Sequence, residues 1–512
     1  MDERLRAAWR VLPDTLSQHV LLCAAALGLA LVICLPLTLL ALRKPRVAGP
    51  LVAVASLVQT IPGLALMALF YPLLLALSAL TLAAFGRSVP ALGFLPALLA
   101  LTLYAMLPIL RNAIAGLRGV DADVVEAARG VGMTERQILT RVQAPLSAPV
   151  VMAGVRTAAV WTIGAATLAT PVGQTTLGNY IFSGLQTENW VSVTFGCVAS
   201  ALVAIAADLA LGSVEKGMAL RDRKRIVIGA LVIVAGVGAA AFASFGGGAR
   251  GYVIGAKNFS EQYILAEAIS RRIEGQGARA SVKQGLGSAI VYRALAGGDI
   301  DVYVDYAGTL WTNVLGRSDT PPHDEMIAEL GRALMDRDGV RVLGSLGFEN
   351  AYALAMKPDR AQALGVRSIA DLARVAPQLT LGADLEFLQR PEWATIRDAY
   401  GLAFKSTRSF NPTFLYRALA SGAADVISAF SSDGRIAAER LTLLADPKGA
   451  IPAYDALILI APKRRDDPTL IRALTPLIGA ITPDAMRAAN YAADRDDNKR
   501  TPAQAADMLL SR

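Results

Sequence analysis

Apolar residues dominate six stretches, near residues 19–42, 51–77, 92–110, 149–170, 191–212 and 226–245. Each is about the length an α-helix needs to cross ~30 Å of hydrocarbon, roughly 20 residues, so six membrane spans are predicted. Beyond residue 250 the pattern changes. Short β-branched runs at 252–254, 301–304, 340–343, 379–381, 425–427 and 456–460 alternate with helical stretches such as 260–273 and 324–335. That alternation predicts an α/β domain, and 262 residues leave room for two lobes. The expected organisation is an all-α polytopic membrane domain over 1–250, followed by a two-lobed α/β domain over 251–512.

Composition sharpens the division. Of the 512 residues, 54% are hydrophobic and 18% charged, against about 25% charged in a typical soluble protein, which argues against an ordinary soluble enzyme. The net charge of +8 belongs to the apolar part: residues 1–250 hold 19 Lys and Arg against 11 Asp and Glu, while 251–512 hold 31 of each. These bases flank apolar segments instead of forming one basic domain, which excludes nucleic acid as a partner and leaves lipid as the surroundings.

The bases also orient the chain. Thirteen lie in the loops after the first, third and fifth spans: Arg43, Lys44 and Arg46; Arg111, Arg118, Arg129, Arg136 and Arg141; Lys216, Arg221, Arg223, Lys224 and Arg225. The opposite loops and the N-terminal tail hold four, Arg4, Arg6, Arg10 and Arg87. The richer set is expected on the cytoplasmic face. The N-terminus and the polar half then lie outside, with Phe245 to Arg250 as a short Gly-rich tether. The first span has a mixed-charge flank and no small-residue cleavage site after it, so it is expected to remain in place.

Candidate chemistry is sparse. Cys23, Cys34 and Cys197 sit in apolar runs as small hydrophobes, and two histidines, His19 and His323, are too few for a His-based metal site or a catalytic triad. No catalytic residue and no metal site is expected. Arg156 and Asp208 are charges within predicted spans, a functional signal by default, with snorkelling or a structural contact as the competing reading.

The loop from Arg111 to Pro149 is too polar to span and too long for a turn. Asp121 or Asp123 can cap a short helix carrying Glu126, Ala127 and Ala128. Gly132 ends it, and Thr134, with Gln137 three residues on, opens a second helix expected to stop before Pro145. Glu126-Ala127-Ala128, Gly132 six residues after the Glu, and Val142-Gln143-Ala144-Pro145 resemble the coupling loop of ATP-binding-cassette importer permeases, here over about 121–149. Ala144 stands where that family has Leu. The resemblance implies that Glu126, Ala127, Ala128, Gly132 and Pro145 dock a cytoplasmic ATPase, and that two copies of the chain form the pore. The nearest phosphate-loop candidate, Gly401 to Ser406, lacks the required spacing. ATP and Mg²⁺ therefore belong on a separate ATPase chain, and no cofactor is expected in this one.

The second half contains Ile254-Gly-Ala-Lys257-Asn258-Phe259-Ser260-Glu261-Gln262, then Gly285-Leu-Gly-Ser288, Tyr306-Ala-Gly308-Thr309, Asn350-Ala-Tyr352 and Asp425-Val-Ile-Ser-Ala-Phe430-Ser-Ser-Asp433-Gly434. In this order they resemble the binding proteins for glycine betaine, choline and related quaternary amines. A trimethylammonium group has charge but no N–H, so aromatic faces hold it, at roughly 0.5–2 kcal/mol per ring. The resemblance implies a cage of Tyr306, Tyr352, Phe430 and Tyr454, Phe430 replacing the family's Tyr. The carboxylate end of a betaine would favour Lys257, Arg390 and the hydroxyl of Thr309, with Arg390 also able to pair with Glu386 or Glu392; Asn350 could orient Tyr352 or accept the ligand's polar part, and Gln262 is a further ligand-binding candidate.

The whole chain thus resembles a permease fused to its own receptor, an ATP-driven importer of the glycine betaine, choline and carnitine class. An ergothioneine importer of the same architecture is one alternative. A ligand-gated channel or sensor with a fused receptor is the other, and it would have no use for a coupling loop.

Overall fold

The computed structural model describes residues 3–85, 89–186, 189–245, 251–317, 319, 321–411, 414–495 and 497–511. The loop at Arg87 and the tether at 246–250 lie outside the described residues. The chain forms two compact units, one of residues 1–182 and 191–249, the other of 183–190 and 250–512.

The first unit is helical: α1 (Glu3–Arg43), α2 (Pro45–Thr60), α3 (Gly63–Phe85), α4 (Phe94–Arg118), α5 (Ala122–Gly130), α6 (Glu135–Ile138), α7 (Ala144–Ala166), α8 (Gly178–Gln186), α9 (Trp190–Leu220) and α10 (Arg223–Phe245). Helix satisfies every backbone group within the segment, which a hydrocarbon environment demands. Buried Leu22, Ala26, Met67, Ala97, Ala100, Leu101, Ile163 and Ala166 pack together at the centre. Small residues let the helices approach closely; a Cβ on Gly154 of α7 would meet Asn112 Cβ of α4 at 2.6 Å.

Two sequence expectations are corrected here. The run at 51–77, where Pro62 implies a kinked span, breaks into two helices: α2 and α3 meet at a bend of 99°. Pro62 supplies no N–H there. The Ile61 carbonyl accepts from the Tyr104 hydroxyl, and Gln59 Nε2 donates to the Tyr104 carbonyl at 3.0 Å. Among the described residues five single helices are long and apolar enough to cross a membrane, and a sixth crossing requires the bent pair to act as one.

The second correction concerns Pro145. The helix begun at Thr134 does not stop before it but passes through a π-turn, Leu139–Gln143, directly into α7. The Ala144 N–H bonds back to the Leu139 carbonyl, and Pro145 falls in the first turn of the new segment, where its missing N–H costs little.

Inside this unit Arg156 of α7 clasps Asp208 of α9 with two prongs, Nε to Oδ1 at 2.6 Å and Nη2 to Oδ2 at 2.7 Å, and reaches Glu215 at 3.2 Å. The pair is a structural contact between helices.

Among its described residues the second unit has ten strands: β1 (Tyr252–Lys257), β2 (Ala280–Leu286), β3 (Val302–Tyr306), β4 (Arg341–Glu349), β5 (Tyr352–Met356), β6 (Thr380–Ala383), β7 (Ser406–Ser409), β8 (Val426–Phe430), β9 (Thr442–Leu443) and β10 (Asp455–Ile460). They form two five-stranded sheets, β2-β1-β3-β10-β4 and β7-β6-β8-β5-β9. Each sheet, covered by helices, is one lobe. The chain passes between lobes at Asn350-Ala351 and again between β9 and β10. The Asn350 N–H donates to the Tyr454 carbonyl at 3.0 Å, joining the two crossings.

Candidate functional site

Strand ends carry the aromatic side chains to one place. Tyr306 ends β3, Tyr352 opens β5, Phe430 ends β8 and Tyr454 immediately precedes β10. Tyr352 and Phe430 are antiparallel partners, so their side chains share one face of the sheet, with ring centroids 5.0 Å apart. Tyr454 stands at 90° to Tyr352 at 5.6 Å. A Cβ on Gly308 would lie 2.6 Å from the Tyr454 ring, so glycine makes room for it.

All four rings line a cleft of about 420 Å³ between the lobes, together with Lys257, Phe259, Thr309, Asn350, Asp384, Glu386, Arg390 and others. Sequence reasoning omitted Phe259 from the cage. It stacks on Phe430 at 6.0 Å with 6° between planes, and lies 6.3 Å from Tyr306, completing an aromatic path from one lobe to the other. The available signal was its place just before the helix Ser260–Glu274, at the mouth of β1.

The hydroxyls of two cage tyrosines are anchored away from the ligand space. Tyr306 donates to Glu261 Oε1 at 2.6 Å and accepts from Gln262 Nε2 at 3.0 Å. Glu261 is buried and also accepts from Asn350 Nδ2 at 2.9 Å and Asn490 Nδ2 at 2.7 Å. Burial raises its pKa, partly offset by these hydrogen bonds. Gln262 is therefore behind the cage, holding Tyr306, and is not among the residues lining the cleft. Tyr454 donates to buried Glu392 at 2.6 Å, as does Thr312 at 2.9 Å.

The two candidate cations are less free than their types suggested. Lys257 is buried against Asp305, which also accepts from the Tyr303 hydroxyl and the Tyr306 N–H, and its Nζ lies 5.2 Å from the Tyr306 ring centroid. Arg390 pairs with both Glu386, at 2.5 Å, and Glu392, at 3.3 Å. From the second lobe it also reaches Thr309 Oγ1 at 3.3 Å and Ser288 Oγ at 3.4 Å on the first. Its Nε is buried and finds no partner among the described residues.

In the loop segment Asp121 caps α5 through the Asp123 N–H, Gly132 adopts φ +84°, and Thr134 and Gln137 form a reciprocal capping box. Arg129 bridges to Glu135 at 2.7 Å, tying α5 to α6. Ala128 is buried, whereas Glu126, Ala127, Gly132 and Pro145 are exposed. Val124 and Val131 are 42% and 79% exposed, and with Ala127 they lie at i, i+3 and i+7, an uncovered apolar stripe along α5 and its C-cap residue Val131.

A two-lobed domain hinged over an aromatic cleft, joined to a helical membrane domain, defines a transport component that carries its own receptor. Residues 251–512 match the family model of the substrate binding domain of the ABC-type glycine betaine transport system, and 31–220 match that of the binding-protein-dependent transport system inner membrane component. The chain belongs to this family: it is the permease and substrate-binding subunit of a quaternary amine importer, and not an enzyme. It is 28% identical over 458 residues to the ergothioneine transport permease/ergothioneine binding protein EgtU of Helicobacter pylori (strain G27), covering 86% of this chain and 80% of that one. It is 37% identical over 198 residues to the carnitine transport permease protein OpuCB of Listeria monocytogenes, covering 39% of this chain and 84% of the relative. A solved glycine betaine/carnitine/choline ABC transporter structure aligns at 28% identity and TM-score 0.45, over 51% of this chain and 97% of that one.

Proposed function

We propose that the cleft binds the trimethylammonium head of a small quaternary amine on the outer face of the membrane and delivers it to a pore formed by two copies of this chain, driven by separate cytoplasmic ATPase subunits that carry ATP and Mg²⁺. The carrying observation is the chain of rings from Tyr306 through Phe259, Phe430 and Tyr352 to Tyr454, which spans both lobes. Rings from both sides attract a cation more strongly once the lobes exclude water. Arg390, through Nε, and Thr309 serve the polar end, with Lys257 adding its field.

The exposed stripe Val124, Ala127 and Val131, beside Glu126, suits docking into a groove of the ATPase and favours an importer over a channel. Three long helices, α7, α9 and α10, separate this segment from the binding unit. An odd number of crossings supports a reading in which the two face opposite sides of the membrane, whichever way the bent α2–α3 pair behaves. The loop bases Arg111, Arg118, Arg129, Arg136 and Arg141 support the cytoplasm as the coupling side.

Glycine betaine, choline and carnitine form the first ligand class. The fused architecture shared with the Helicobacter pylori relative favours ergothioneine as a second reading. Calorimetric titration of the detergent-solubilised full chain with all four, beside tetramethylammonium as a bare head group, tests the proposal. Absence of binding by every one of them would overturn it.

A further inference from the structure

Asp384 caps the short helix Leu385–Gln389, its Oδ1 accepting from the Phe387 N–H at 2.9 Å. The residue lines the cleft and is 6% exposed. Its Oδ2 is buried and has no hydrogen-bond partner among the described residues. The nearby cations meet other carboxylates, Arg390 through Nη1 and Nη2 to Glu392 and Glu386 while its Nε stays unpartnered among the described residues, and Lys257 to Asp305. The Asn350 Oδ1, also in the cleft lining, is a second buried acceptor in the same condition.

A buried acceptor left unmatched costs free energy that a donor on the ligand removes. The trimethylammonium head cannot supply that donor, because it has no N–H. It must come from elsewhere on the same molecule, as the O–H of an amino alcohol or the N–H of a heterocycle. We propose that Asp384 is a specificity-determining residue that reads such a donor, so the cleft selects quaternary ammonium compounds bearing an O–H or N–H over those, such as glycine betaine, that have none. This rests on the quaternary-ammonium reading above.

The test titrates the full chain with choline, with ergothioneine, and with propyltrimethylammonium, in which a methyl replaces the choline hydroxyl. In the wild type at least one donor-bearing ligand is expected to bind about tenfold or more tightly than propyltrimethylammonium. Asp384→Asn keeps an oxygen for the cap but sets an amide N–H₂ where Oδ2 was. It should abolish that preference while changing propyltrimethylammonium binding by less than about twofold. Asp384→Ser, which also retains a cap acceptor, gives the same comparison if the Asn variant fails to fold. Loss of preference with choline assigns the donor as O–H, and with ergothioneine as ring N–H. Equal affinity of all three ligands in the wild type, or an equal loss for all three in both variants, overturns the proposal. Binding of choline and propyltrimethylammonium alike leaves the quaternary-ammonium reading standing, whereas binding of none of the cations removes both.

Discussion

Tyr352 and Phe430 face each other across the antiparallel pair β5–β8, with ring centroids 5.0 Å apart and planes tilted by 40°. Strand register alone sets this pair, while Tyr454 and Tyr306 reach it from the other sheet. Replacing Tyr352 or Tyr454 by Ala is therefore expected to weaken ligand binding tenfold or more, about 1.4 kcal/mol or above per ring. Phe259→Ala should do the same, since its ring bridges Phe430 and Tyr306. Titration of each variant checks this; wild-type affinity for Ala at all five positions would place the site elsewhere.

Arg390→Lys keeps a positive charge against Glu386 and Glu392 but removes the Nε–H. It should weaken a carboxylate-bearing betaine by about tenfold, the worth of a charge-assisted hydrogen bond, and leave choline nearly unchanged. Equal losses for glycine betaine and choline would instead make Arg390 a latch between the lobes, through Thr309 and Ser288.

Glu126→Lys, on the exposed side of α5, should abolish ligand-stimulated ATP hydrolysis in the reconstituted complex without altering ligand affinity. The reason is separation, since the loop belongs to the helical unit and the cleft to the other. Wild-type transport by this variant would remove the coupling assignment.

In the helical unit Arg156 is held by both Asp208 and Glu215, so removing Arg156 leaves two carboxylates without their cation, whereas removing Asp208 leaves Arg156 its contact with Glu215. Arg156→Leu should lower the thermal midpoint of the solubilised chain more than Asp208→Leu does, and the double variant should lower it by less than the sum of the two. Additive losses would show that the contact contributes nothing.

The Glu261 carboxyl titrates above its ordinary value of 4.5 because of burial. The folded state holds this proton more tightly than the unfolded chain, so the stability it contributes is full below the unfolded pKa and falls as pH rises through the folded one. The thermal midpoint of wild type relative to Glu261→Gln should decrease over that interval. A difference that grows with pH would mean that the hydrogen bonds from Tyr306, Asn350 and Asn490 outweigh burial.

Chain pattern alone was enough for the classes of structure. Apolar runs of spanning length must become helices in hydrocarbon, short β-branched runs between helices must form sheets, and Thr134 with Gln137 could cap a helix wherever it went. The four aromatic positions were legible only through the family resemblance, and Pro62 already marked a kink in its span. Local pattern does not carry the rest. The Tyr104 hydroxyl that meets the Ile61 carbonyl at the break comes from another helix, and the passage of a helix through Pro145 depends on a π-turn that shifts the hydrogen-bonding partner by one residue. Phe259 joins the cage only because β1 and β8, remote in sequence, end beside each other. Lys257 read as an unpaired cation in sequence, yet Asp305 meets it in space, whereas the pairing of Arg390 with its chain neighbours Glu386 and Glu392 was legible from their spacing. Which buried charges find a partner, and which, like Asp384, keep an oxygen unmatched, is set by packing between segments far apart in the chain.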